Sequence, residues 1–375
     1  MIDRRRFLAA SSALVATSLP VMAATGKRGY AQEKYARAVV IDALGGPGGD
    51  EETSTQQTLS PRALADIKAS GVTATNITVH NPGNAPHMFE DAVTSLASWN
   101  EEIGLHPEHL LKVLSGGDLQ AAKTTHRLGL IFGFQDTNML EGDLTRVAVF
   151  HGLGLRIIQP VYNRRNAMGD GCLEPADGGL STLGRELIQE LNRLNILLDL
   201  SHAGPRMIAE GIAASKSPMA ITHTGCRALV DLPRNTHDSS LKALADRGGV
   251  AGIFFMPFLR NSGQPHAEDV IRHLEHAVNV CGEDHVGLGT DGFISETPLN
   301  EKNAEAQRKF FEARRKAGIA APGEAADVFN LVPEYNDPLR FFNLANDLSA
   351  RGWSDARIEK ILGGNFARLF QEVWK

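Results

Sequence analysis

Three side chains able to hold a metal ion or move a proton stand where apolar, strand-like runs stop. Ile196-Leu197-Leu198-Asp199-Leu200-Ser201 ends in His202, Met219-Ala220-Ile221-Thr222 ends in His223, and Val286-Gly287-Leu288-Gly289-Thr290 ends in Asp291. Neutral imidazole and carboxylate are donors suited to Zn2+ or a similar borderline ion. An ion held this way lowers the pKa of a bound water toward ~7 and polarises a carbonyl, as hydrolysis of an amide requires. Arg234-Asn235, in the loop after the second histidine run, offers a fork of N–H groups matched to a substrate carboxylate. A single histidine closing a strand is more often a hydrogen-bonded structural residue than a ligand. Two on successive strands, with an aspartate on a later one, shift that balance, because all three can converge on a barrel axis.

Buried parallel strands that end in such residues mark the catalytic rim of a (β/α)8 barrel. Strand-like runs occur at residues 38–43, 72–79, 128–134, 155–161, 196–202, 219–223, 249–255 and 286–291. Helical apolar spacing falls between them, clearest at 182–194, 267–280 and 338–349, and Ser60 is placed to cap a helix over 61–70. Residues 353–362 read as a helix, with Gly363-Gly364 ending it and a new helix starting at Asn365. No Gly-x-Gly-x-x-Gly follows the first strand and no Walker sequence occurs, which removes the common nucleotide-binding folds. The expected fold is α/β, a TIM barrel over residues 38–375 with extra C-terminal helices.

Two polar stretches complete the pattern. Asn163-Arg164-Arg165-Asn166 opens a Gly-containing loop after the fourth strand that lines the mouth. Residues 300–321 are charged and helical, packed outside the barrel or covering its mouth, and their mixture of Lys, Arg and Glu reads as a solvated face.

Composition bounds the partners. The chain has 375 residues, 42% hydrophobic and 22% charged, enough for one large core. A net charge of −6 without a Lys/Arg stripe argues against nucleic acid. Arg4-Arg5-Arg6-Phe7-Leu8, an apolar small-residue run and Val21-Met22-Ala23 read as a twin-arginine export signal over 1–25, followed by a polar linker over 26–37. The expected location is therefore periplasmic or otherwise extracytoplasmic, with no stable membrane span after the signal is removed. Cys172, Cys226 and Cys281 are odd in number and lack metal-binding spacing, so at most one disulfide can form and structural thiols are expected.

Asp199-Leu200-Ser201-His202, Ile221-Thr222-His223 through Pro233-Arg234-Asn235, Gly287-Leu288-Gly289-Thr290-Asp291 and Ile361-Leu362-Gly363-Gly364-Asn365-Phe366 together resemble the membrane (renal-type) dipeptidases, peptidase family M19. The resemblance runs from about residue 38 to the C-terminus. It implies a binuclear zinc barrel of the amidohydrolase type that cleaves dipeptides and tolerates a D-residue at the second position. By the matching positions, His202 and His223 would bind one zinc, Asp291 would ligate the other and handle the catalytic proton, and Arg234 would take the substrate carboxylate. At the family's first-strand His-x-Asp stand Leu44 and Gly46, at its bridging glutamate stands Gln135, and at its carbonyl-holding histidine stands Tyr162. A phenol can still donate to an oxyanion, whereas an amide oxygen is a weak ligand. One zinc rather than two is therefore expected, with Gln135 or His80 as weak additional ligands.

The expected activity is metal-dependent hydrolysis of a small peptide or amide. Two other readings remain open: lyase or isomerase chemistry on a small carboxylate with one metal or none, and a periplasmic protein that binds or matures a peptide-like ligand. Barrels of this kind often form homodimers, though no interface is legible.

Overall fold

The computed structural model describes residues 29–49 and 58–374. The expected export signal over 1–25 lies outside the described residues. Eight parallel strands form the centre: β1 Ile41–Asp42, β2 Ala74–Thr78, β3 Leu128–Phe134, β4 Leu155–Ile158, β5 Leu197–Leu198, β6 Ala220–Thr224, β7 Val250–Ile253 and β8 Val286–Leu288. Ladders join β1 through β5 in chain order and, separately, β6 through β8. Two narrow seams close the ring. Leu200 N donates to the Ala220 carbonyl (2.8 Å) between β5 and β6, and Ala43 N donates to the Leu288 carbonyl (2.9 Å) between β1 and β8. The fold is a (β/α)8 barrel.

Helices follow the strands where the sequence spacing puts them. Thr182–Arg193 buries Leu187, Ile188 and Leu191 on one face, the 3.6-residue stripe of a core-facing helix. Pro61–Ser70 starts with the Ser60 hydroxyl accepting from Ala63 N and stops at Gly71, whose φ of 68° places it in the left-handed region. Ala267–Cys281 and Arg340–Ala350 differ from expectation only at their ends.

Several strands are shorter than their apolar runs because side chains take over the backbone partners. Asp199 Oδ1 accepts from Ser201 N (2.9 Å) and Thr222 N (3.0 Å), which ends β5 after two residues. Asp42 Oδ1 accepts from Thr290 N (2.8 Å) just past the end of β8. Between β2 and β3 an additional strand, Leu110–Lys112, pairs parallel with β3, a detour the sequence reading did not separate.

The folded body begins before residue 38. Gln32–Arg37 is a helix rather than linker; Tyr35 is buried and its hydroxyl donates to the Ser70 carbonyl (2.8 Å). At the other end, the helix Asn365–Val373 plugs the barrel where the strands begin. Phe366, Leu369, Phe370 and Trp374 pack there with Ile41, Ile157, Leu197, Ala220 and Val250. Each fully buried aromatic there contributes about 2–3 kcal/mol. The helix starts at Asn365, as expected, and the turn before it is tight. A Cβ on Gly363 would lie 2.6 Å from both Ile41 N and the Val39 carbonyl.

Among the described residues, no helix is long and apolar enough to cross a membrane. The three cysteines are free thiols.

Candidate active site

The end of β6 and the loops after β4, β5, β6 and β8 bring the two histidines, Asp291, Arg234 and Tyr162 to one end of the barrel. Asp199 organises the first histidine. Its carboxylate accepts from both Ser201 groups, N (2.9 Å) and Oγ (2.7 Å), and from both Thr222 groups, N (3.0 Å) and Oγ1 (2.6 Å). This pins the turn in which His202 adopts a φ of 63°. A left-handed residue with a side chain stores about 1–3 kcal/mol of strain, a cost typical of functional sites. The turn aims the imidazole at His223, and the two Nε2 atoms are 2.8 Å apart.

The neighbours decide where the ring hydrogens sit. Asn163 Nδ2 donates to the Ile319 carbonyl (2.7 Å), so its Oδ1 faces His202 Nδ1 at 2.6 Å and accepts from it. The Thr222 hydroxyl gives its hydrogen to Asp199 and therefore accepts from His223 Nδ1 (2.9 Å). Both Nδ1 atoms are donors, and both Nε2 lone pairs face each other. Burial drives both imidazoles well below the ordinary histidine range; Arg234 adds to this for each, and His223 and Arg314 add to it for His202. Two neutral nitrogens with hydrogen-bonded outer edges are the arrangement in which imidazole binds a metal ion.

The fit to an ion can be tested on this geometry. Two nitrogens on one tetrahedral zinc lie roughly 3.3 Å apart, given bonds of ~2.0–2.1 Å. A slight opening of the pair accommodates that. A two-ion cage does not fit. Gly45–Gly46 pairs with Gly292–Phe293, and a Cβ on Gly46 would lie 2.5 Å from the Phe293 ring. The position where a first-strand carboxylate would project is therefore occupied by an aromatic ring. Gln135 Nε2 donates to Thr78 Oγ1 (2.7 Å). Among the described residues no group of three His, Cys, Asp or Glu side chains is placed to hold a metal ion. The protein supplies two nitrogens, one donor fewer than most open catalytic zinc sites.

Asp291 nevertheless belongs to the same electrostatic neighbourhood. Its φ is 56° and its N donates to the Leu44 carbonyl (2.8 Å). Burial lifts its carboxyl to about 7 against the pull of Arg234 and Arg314, with Asp42 and Glu324 adding to the rise. Asp42 itself is committed to Thr290 and Leu44, and burial raises it to about 6.

Arg234 is 4% exposed and its Nη2 has no hydrogen-bond partner. Its guanidinium lies 5.8 Å from the ring centres of Phe254 and Phe258. Asn235, expected beside it as a substrate contact, instead gives both amide hydrogens to the carbonyls of Val230 (2.8 Å) and Phe258 (2.9 Å). It shapes the loop that presents Arg234.

Tyr162 stacks on His202 with ring centres 4.0 Å apart. Its hydroxyl oxygen accepts from Arg314 Nη1 (3.1 Å). Arg314 lies on the helix Glu301–Lys316 and is held by Glu324 through two bonds of 2.6 and 2.8 Å. The sequence reading placed this helix outside the barrel or over its mouth, with its charges solvated. That holds for ion pairs such as Arg308–Glu301 and Arg315–Glu312, but Arg314 turns inward and is 14% exposed. Adjacent arginines in a charged helix carry no periodic signal that separates the inward one.

A (β/α)8 barrel with paired imidazoles, a carboxyl and a buried arginine at the strand C-terminal end defines a hydrolase barrel of the amidohydrolase class. An amidohydrolase from Pseudomonas aeruginosa has a similar structure: TM-score 0.78 and 31% identity, covering 92% of this chain and 98% of that one. The model of the membrane dipeptidases, peptidase family M19, matches residues 50–313. The chain belongs to that family of metal-dependent, dipeptidase-like hydrolases. Among curated relatives, the Klebsiella pneumoniae uncharacterized protein in the pqqA 5′ region is 28% identical over 273 residues, covering 70% of this chain and 88% of that protein. Dipeptidase tcpJ of Claviceps purpurea is 27% identical over 247 residues, which cover 65% of this chain and 50% of tcpJ.

Proposed function

We propose that this chain hydrolyses the amide bond of a small peptide bearing a free carboxylate, using one metal ion. The observation that carries the reading is the buried, unpartnered Nη2 of Arg234 beside two imidazoles and a carboxyl raised to about 7. A buried guanidinium nitrogen without a hydrogen-bond partner calls for an acceptor, and a planar guanidinium selects carboxylate with two parallel hydrogen bonds.

In this scheme His202 and His223 would hold the ion through Nε2, with Asn163 and Thr222 fixing the rings. When bound, such an ion, zinc by the donor chemistry, polarises a carbonyl and makes water a nucleophile near neutral pH. Asp291 accepts a proton as the water oxygen bonds to the amide carbon. The C–N bond then breaks, and Asp291 returns that proton to the leaving amine. Tyr162 donates its hydroxyl hydrogen to the oxygen that gains charge. Arg234 holds the carboxylate end, so the scissile bond lies at a fixed distance from the imidazoles. The three arginines and Phe-Leu at residues 4–8 support export to the periplasm by the twin-arginine route.

The test uses the purified chain, its metal content and a dipeptide panel with L- or D-residues at the C-terminal position. One ion per chain, its loss in His223→Ala, and hydrolysis that follows metal loading are expected. A metal-loaded protein that cleaves no member of the panel refutes the reading.

A further inference from the structure

We infer that Arg314, clamped by Glu324, is a positioning residue that makes Tyr162 a fixed hydrogen-bond donor toward the reacting oxygen. The inference rests on the proposed hydrolysis and adds to it a residue from outside the strand ends.

A phenol has one hydrogen to give and accepts at its oxygen. In this structure the Tyr162 oxygen accepts from Arg314 Nη1 (3.1 Å), so the hydroxyl hydrogen is left to point elsewhere. The face of the ring is fixed by His202, 4.0 Å away and inclined by 27°. Arg314 cannot swing off, because Glu324 grips it through Nε and Nη2 and its Nη2 also reaches the Ile319 carbonyl (3.3 Å). The guanidinium also lies over the Tyr162 and Phe310 rings, at 5.6 and 5.3 Å.

The turn after this helix is tied into the site at a second point. Asn163 Nδ2 donates to the Ile319 carbonyl (2.7 Å) while its Oδ1 holds His202. Consecutive residues, Tyr162 and Asn163, thus receive their orientation from one segment, residues 314–324. A donor whose direction is set before the reaction avoids reorganisation as negative charge develops, and such a donor is typically worth about 10²–10³ in kcat. A cation on the phenol oxygen also strengthens the hydrogen it donates.

The test compares Arg314→Gln, Arg314→Lys, Glu324→Gln and Tyr162→Phe. Arg314→Gln and Tyr162→Phe are each expected to lower kcat about 100-fold, with KM within about twofold of wild type. The double variant should fall no further than either single one, and Arg314→Lys should recover part of the loss. A phosphinate isostere of the dipeptide, with tetrahedral oxygens, should lose affinity in the same variants, whereas a dipeptide product should not. A readout independent of turnover is the 13Cζ resonance of labelled tyrosine. The chain has four tyrosines, and Tyr162→Phe assigns the relevant signal. That resonance should move in Arg314→Gln and Glu324→Gln and lie nearer wild type in Arg314→Lys. An unmoved resonance overturns the inference even for a protein with no activity. Additive losses in the double variant, or unchanged kcat in Arg314→Gln, overturn it in an active one. Wild-type protein that hydrolyses nothing would instead count against the proposed function.

Discussion

Replacing Arg234 with methionine should stabilise the free protein and destroy its recognition of a carboxylate. The guanidinium is 4% exposed and its Nη2 is unpartnered, with aromatic faces 5.8 Å away and the Asp291 carboxyl in its electrostatic reach. Burying a charge costs several kcal/mol after relaxation, and two cation–π contacts return only about 1–2 kcal/mol. An apolar side chain of similar length should therefore gain about 1–3 kcal/mol. At roughly 1–2 °C per kcal/mol for a chain of this size, the melting midpoint rises by about 1–6 °C. With substrate bound the sign reverses. Removing one partner of a buried charge pair costs about 3–5 kcal/mol, or roughly 10²–10³·⁵ in kcat/KM. Calorimetric unfolding gives the first quantity. The second comes from comparing a dipeptide with its C-terminal amide, which wild type should reject and Arg234→Met should not distinguish. A variant that melts lower than wild type yet still prefers the free carboxylate would refute the reasoning.

Two further outcomes concern stability alone. Asp136 accepts from Gly83 N (2.9 Å) and Asn138 N (3.2 Å), and burial raises it from 3.8 to about 6. Its folded pKa exceeds the unfolded one, so its contribution is complete in acid and is lost as pH rises through about 6. Relative to Asp136→Asn, wild type should lose about 2 kcal/mol between roughly pH 4.5 and 7.5 in urea titrations; a constant difference would show that the carboxyl is not perturbed. Gly363→Ala should destabilise by about 1–3 kcal/mol, because its Cβ meets backbone atoms of Ile41 and Val39 at 2.6 Å. Gly104→Ala, in a helix with nothing within 4 Å, should instead gain about 0.5–1 kcal/mol, and equal midpoints for the two would contradict the packing described.

The barrel was legible because buried parallel strands write their position as apolar runs, and Ser60, Gly71 and the glycines before Asn365 mark helix ends chemically. The lengths of β5 and β8 were not, because Asp199 and Asp42 compete for backbone hydrogens through contacts distant in sequence. The histidine pair and the Arg234 loop could be placed at strand ends from local sequence, since each follows its strand directly. Whether Asp291 closes a metal site with them depends on angles around the rim that no local pattern encodes. Phe293 filling the space at Gly46, and Arg314 reaching Tyr162 across 152 positions, are tertiary facts with no periodic trace. The helix at Gln32–Arg37 was missed because its single buried anchor, Tyr35, sits in an otherwise polar segment.

The seam between β1 and β8 sets when the protein can begin to work. Asp42 and Thr290, the partners that fasten it, are 248 positions apart, and the Leu44 carbonyl that orients Asp291 belongs to the same junction. Contacts of such long sequence separation form late. During refolding, helical signal and much of the tertiary packing should therefore return before turnover does. Recovered activity would then act as a clock for the final joining of the two chain halves.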